Sequence, residues 1–122
     1  MSREIRQPGP DHPIRLEPGH IVSVRRGDDV IAARADAILL FEARYPAVAY
    51  IARDAVPADR LSPSDTRTWC PYKGEARYFN LITVEGETLP DAIWSYDTPA
   101  PAVSDIASRL AFYPDKVEVS PV

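Results

Sequence analysis

Residues 76 to 84, Ala76-Arg77-Tyr78-Phe79-Asn80-Leu81-Ile82-Thr83-Val84, decide the fold class. Aromatic and β-branched side chains crowd this stretch, and both kinds suit a pleated surface better than a helix, where they lose rotamer freedom against the preceding turn. Glu85-Gly86-Glu87 turns the chain, and Asp91-Ala92-Ile93-Trp94-Ser95-Tyr96 returns as an antiparallel partner. Alternation along the returning strand sets Trp94 and Tyr96 on one face.

The same reading extends in both directions. Ile21, Val22 and Val24 predict a strand, Arg26-Gly27-Asp28-Asp29 a turn, and Val30 to Ala35 its hairpin partner. Ala37 to Glu42 and Val48 to Ile51 predict two further strands, interrupted at Tyr45-Pro46. Arg53 to Leu61 predicts a short helical turn that Asp54 caps and Pro57 limits. Ala102 to Arg109 predicts a short helix with Ser104 as N-cap, and Leu110 to Tyr113 and Lys116 to Val119 the last strands around Pro114-Asp115. Thirteen prolines, about twice the usual ~5% share, exclude long helices because proline has no N–H to donate. Strand following strand argues for antiparallel sheets rather than βαβ units. The expected fold is therefore mostly β, with compact antiparallel sheets and one or two short helices.

At 122 residues, 45% of them hydrophobic, the chain suits one domain with a real core. Residues 1 to 19 hold four prolines and two glycines and predict an arm, mobile or laid over the body, with the β domain running from 20 to 122. Fourteen basic against 18 acidic residues give a net charge of -4, which opposes a nucleic-acid backbone. One cysteine and two histidines, His12 and His20, without ligand spacing predict no metal, and no cofactor motif is present. No apolar run reaches the ~20 residues that a membrane-crossing helix needs, so the expected setting is soluble and cytoplasmic.

Overlapping the start of the 76–84 strand, residues 62 to 80 mix hydroxyls, charges and aromatics around Cys70, Pro71 and Gly74, and this segment predicts a shaped loop. Lys73 beside Gly74 joins a cation to a turn and suits a carboxylate or phosphate, while Arg67 and Arg77 add reach. Asp65 and Thr66 suit hydrogen bonds to loop amides. Tyr72, Tyr78, Trp94 and Tyr96 suit an apolar pocket with polar tips, and Arg53-Asp54 stands where it faces the pocket or starts the next turn. Cys70 has two readings: a small buried hydrophobe, or a nucleophile or redox thiol whose pKa Lys73 or Arg67 lowers. The ligand-binding candidates are Arg53, Asp65, Arg67, Tyr72, Lys73, Tyr78 and Trp94, and the catalytic candidate is Cys70. The expected partner is a small, anionic or neutral molecule in a pocket rimmed by the loop. Alternatives are a Cys70 enzyme and an interaction module using sheet edges or the arm, with a homodimer compatible with either.

Tyr50-Ile51-Ala52-Arg53-Asp54-Ala55-Val56, Ser64 to Gly74 with its Cys-Pro-Tyr-Lys-Gly block, Tyr78, Ala92-Ile93-Trp94 and Ala111-Phe112-Tyr113-Pro114-Asp115 together resemble the domain of unknown function 427 family over roughly residues 20 to 120. The resemblance implies an antiparallel β-tent fold, similar in architecture to methionine-R-sulfoxide reductases and the thalidomide-binding domain of cereblon. That is an analogy of fold alone. Trp69 stands where the family often has histidine, which removes a general base beside Cys70, and Phe79 stands where it often has tryptophan. The family is sometimes labelled nucleotidyltransferase-like, yet no carboxylate pair follows a glycine-serine turn as metal-dependent transfer requires.

Overall fold

A computed structural model of the chain describes residues 3–122. Its strands are β1 (Ile14–Arg26), β2 (Asp29–Glu42), β3 (Val48–Ile51), β4 (Leu61–Cys70), β5 (Gly74–Ile82), β6 (Thr88–Ser95), β7 (Ala111–Phe112) and β8 (Glu118–Pro121). They form two antiparallel four-stranded sheets, ordered β3-β2-β1-β8 and β4-β5-β6-β7. The mostly β expectation holds.

The sheets meet at one corner through a reciprocal bridge. Ile51 N donates to Leu110 O at 2.9 Å, and Leu110 N donates to Ile51 O at 3.0 Å, so an edge of the first sheet continues into the approach to β7. Away from this corner the sheets face each other across a core in which Val24, Ile31, Ala35 and Ala37 meet Phe79, Leu81, Leu89 and Ile93. Most of these are fully buried, and each large one contributes about 1.5–3 kcal/mol by leaving water. β2 serves two cores, because Ala35 and Ala37 face this one while Ile38 and Leu40 point into a second cluster with Tyr50, Tyr78, Tyr96 and Val103.

Several sequence expectations change. β1 begins at Ile14 rather than near His20, and β2 is one strand where two were expected. The expected helix at 102–109 is a 3₁₀ segment, Pro101–Ile106, broken at Val103 (φ -126, ψ 26) and without a side-chain cap from Ser104. Pro57 divides the 53–61 turn into 3₁₀ pieces at Arg53–Ala55 and Ala58–Arg60, and Asp54 lies inside the first instead of capping it.

The largest correction concerns the expected loop, whose first half is β4, an edge strand. An edge tolerates Pro63 and a polar sequence because only one side of the backbone must pair. Pairing with β5 lapses between Pro63 and Arg67, and Arg67 Nη1 folds back onto the carbonyls of Ser64 (3.0 Å) and Thr66 (2.8 Å) in that gap. Asp91, at φ 51, binds the bulge from β6: Ser64 Oγ and Thr66 Oγ1 donate to its two carboxylate oxygens, the latter at 2.7 Å. Asp91 N donates to Asn80 Oδ1 at 3.0 Å. Gly74 closes the β4–β5 turn at φ +105, and any Cβ there would lie 3.6 Å from Thr98 O.

Candidate functional site

The core face of β2 continues past Ala37 as Leu39, where the second sheet no longer covers it. There β1, the turn before β3, the end of β7 and β8 enclose a groove of about 660 Å³, lined by Leu39, Ile21, Tyr45, Val48, Trp94, Phe112, Tyr113 and Val119 among others. No Asp, Glu, Lys or Arg lines it, although such residues make up 26% of the chain. Tyr45 stands on its rim, 67% exposed.

The aromatic wall is held from behind. Trp94 meets Tyr50 edge-on (centroids 6.3 Å apart, 89°) and donates its Nε1–H to Tyr50 Oη at 3.2 Å. Its polar atom is thus satisfied on the protein side, and the indole leans on Tyr113 at 4.6 Å. Tyr78 runs nearly parallel to Tyr113, and a hydroxyl chain links Thr68 Oγ1, Tyr78 Oη (3.0 Å) and Tyr113 Oη (3.4 Å). Burial, reinforced by the Tyr78 hydroxyl, pushes the Tyr113 phenol up to about 12. Burial also raises Tyr50 and Tyr96 well above the ordinary range. The wall is therefore uncharged at neutral pH.

Lys73 does hold a carboxylate, but an internal one. Its Nζ donates to Glu42 Oε1 at the end of β2, with the two side chains only 11% and 14% exposed. Glu42 Oε2 takes His12 Nε2 at 2.7 Å, and the His12 ring stacks on Tyr72 at 3.9 Å and 6°. Burial alone would raise the Glu42 carboxyl, yet the hydrogen bonds and charges of Lys73 and His12 outweigh it and hold the group below the ordinary range.

The remaining candidates lie elsewhere. Arg53 lines a separate recess with its guanidinium 4.8 Å from the Phe79 centroid. Arg67 borders a small polar cleft with Glu75, Arg77, Asp97 and Thr98, and Asp65 is exposed on β4. Cys70 is half-buried against the cluster around Tyr50 and Tyr78, while Lys73, its expected activator, is committed to Glu42. Of the seven ligand-binding candidates, only Trp94 lines the groove. Tyr78 supports it from behind through Tyr113.

Sequence reasoning missed Glu42 and Tyr113 and passed over His12. Besides Trp94, the Phe-Tyr-Pro stretch at 112–114 was a usable signal for the groove. Among the described residues no group of three or more His, Cys, Asp and Glu side chains is placed to hold a metal. Nor is any helix long and apolar enough to cross a membrane.

These features define a small mostly-β domain whose two antiparallel sheets join at one corner beside an aromatic, largely apolar groove. The chain belongs to the family described as a domain of unknown function (DUF427), whose sequence model matches residues 16–122. A comparison with curated proteins gives no match.

Proposed function

We propose that the domain binds a small, uncharged, largely apolar molecule in the groove walled by Trp94 and Tyr113. The observation that carries this reading is a half-buried aromatic wall in a groove lined by no Asp, Glu, Lys or Arg, with His20 at its edge already paired to Glu17. Its volume suits a small ligand, since such sites commonly span ~300–1,000 Å³. Bringing an anion against that largely apolar lining would strip its water with no Lys or Arg to compensate, so of the small molecules the sequence allows, anionic ones among them, a neutral ligand is favoured. The Trp94 hydrogen bond to Tyr50 leaves the ring face, not the N–H, as its means of contact.

Titration with the neutral probe N-phenyl-1-naphthylamine tests the reading by probe fluorescence. Saturable binding at one site is expected, weakened about tenfold by Trp94→Ala, because loss of an aromatic contact of this size costs on the order of 1–2 kcal/mol. Val48→Asp should weaken it similarly, whereas Arg67→Gln on the other cleft should leave it unchanged. Equal binding by wild type and Trp94→Ala would sink the idea.

A further inference from the structure

The segment preceding β1 lies along the β4–β5 turn and is fastened there at several points. Arg6 N donates to Pro71 O at 2.7 Å, and Arg3 pairs with Glu75 at 2.9 Å while its guanidinium lies 5.3 Å from the Trp69 ring. Reciprocal backbone bonds between Gly9 and His12 (2.9 and 3.3 Å) close a tight turn that sets the imidazole against Tyr72 and Glu42. The family-matched region begins at residue 16, so Tyr72, Lys73 and Glu42 lie inside it and His12 lies before it.

The way His12 is held has the form of ligand recognition. A flat nitrogen ring lies face to face on Tyr72 at 3.9 Å, nearly parallel to it, and its Nε2 meets Glu42 Oε2 at 2.7 Å. An ionised carboxylate only accepts, so Nε2 carries the hydrogen and the ring is the donor. Lys73 holds the other carboxylate oxygen, which restrains the acceptor beside the stacked ring. One flat face, a hydrogen-bond acceptor beside it and a cation that restrains that acceptor are the parts such recognition uses.

We propose that Tyr72, Glu42 and Lys73 form a site for a planar nitrogen heterocycle bearing a ring N–H, and that His12 of the same chain occupies it as an internal placeholder. A ligand then competes with a tethered group, and its apparent affinity falls by the fraction of time the site stands open. Lifting the strap exposes the site, so binding there and release of the N-terminal segment are one equilibrium.

Imidazole itself is the probe, titrated into full-length His12→Ala and followed by amide shifts of Tyr72, Lys73 and Gly74. Saturable binding is expected, at least about tenfold tighter than in wild type if His12 fills the site ~90% of the time, and lost in His12→Ala/Tyr72→Leu. At about pH 8.5, well above the ordinary histidine pKa of ~6.5, neutral 1-methylimidazole has no N–H and should bind more weakly than imidazole. Equal affinity in wild type and His12→Ala, or binding indifferent to Tyr72→Leu or to the missing N–H, overturns the proposal. Should His12→Ala fail to fold, wild type decides: saturating imidazole must move the His12 ring resonances, and resonances that stay in place reject the site.

Discussion

Lys73, in the turn between β4 and β5, reaches the other sheet and closes a nearly buried ion pair with Glu42, the last residue of β2. The pair ties the two sheets together at a point remote from the Ile51–Leu110 bridge. Lys73→Met leaves the Glu42 carboxylate buried with only His12 as partner and should cost about 3 kcal/mol, since breaking a buried pair strands the remaining charge. Urea unfolding at neutral pH measures it. Lys73→Met/Glu42→Met should recover part of the loss, and a double variant as unstable as the sum of the two single ones would contradict this account.

The acid limb follows from the same carboxylate. The folded-state pKa of Glu42 is lowered, so below the ordinary glutamate value of ~4.3 the unfolded chain binds more protons than the native one. The stabilisation is complete above that pH and is lost as pH falls through the folded-state value. Glu42→Gln should therefore flatten the midpoint-versus-pH curve on its acid side while lowering stability at neutral pH. An acid limb as steep as that of the wild type would remove Glu42 from the explanation.

At the alkaline end the sign reverses. Tyr50, Tyr96 and Tyr113 all have raised pKa values, so above the ordinary tyrosine value of ~10 the native state keeps protons that the unfolded chain releases, and stability falls as pH rises. Phenolate absorbance should show these three titrating last, and Tyr113→Phe should remove the component near 12. Full ionisation of all tyrosines by about pH 11, with the native fold intact, would contradict the burial that sets these values.

Asp91 combines a left-handed backbone with a carboxylate that accepts two hydroxyls. Asp91→Ala loses both bonds and puts a residue poorly suited to positive φ in that position, at a cost of about 2–4 kcal/mol. Asp91→Asn tolerates the backbone and keeps one good acceptor, so about 1 kcal/mol is expected. Thermal unfolding ranks the two, and the reverse order would show that the hydroxyl clamp contributes little.

The strands between Ala76 and Tyr96 were legible because aromatic and β-branched residues repeat there at a spacing only a sheet accommodates. β4 was not, because an edge strand with a bulge carries Ser64, Asp65, Thr66 and Arg67 where a central strand would carry apolar residues. Glu42 and His12 stand 30 residues apart, and nothing local marks either as the other's partner. Trp94 lines the groove, but the other walls come from Tyr45, Val48 and β8, which meet only through the tertiary fold. Lys73 beside a glycine turn suggested a cation for a ligand, whereas its partner is Glu42 on a strand of the other sheet, which no local pattern marks.

The pairing of β1 with β8, Val22 with Pro121 and Val24 with Val119, brings together residues separated by most of the chain. Closing so large a loop is entropically costly and is offset only once the intervening strands are in place, so this ladder is expected to form late in folding. Val119 and Pro121 form one wall of the groove. A partly folded chain that has the other strand pairs but not this ladder would lack the cavity, so ligand binding in the groove should appear with, and not before, the β1–β8 pairing.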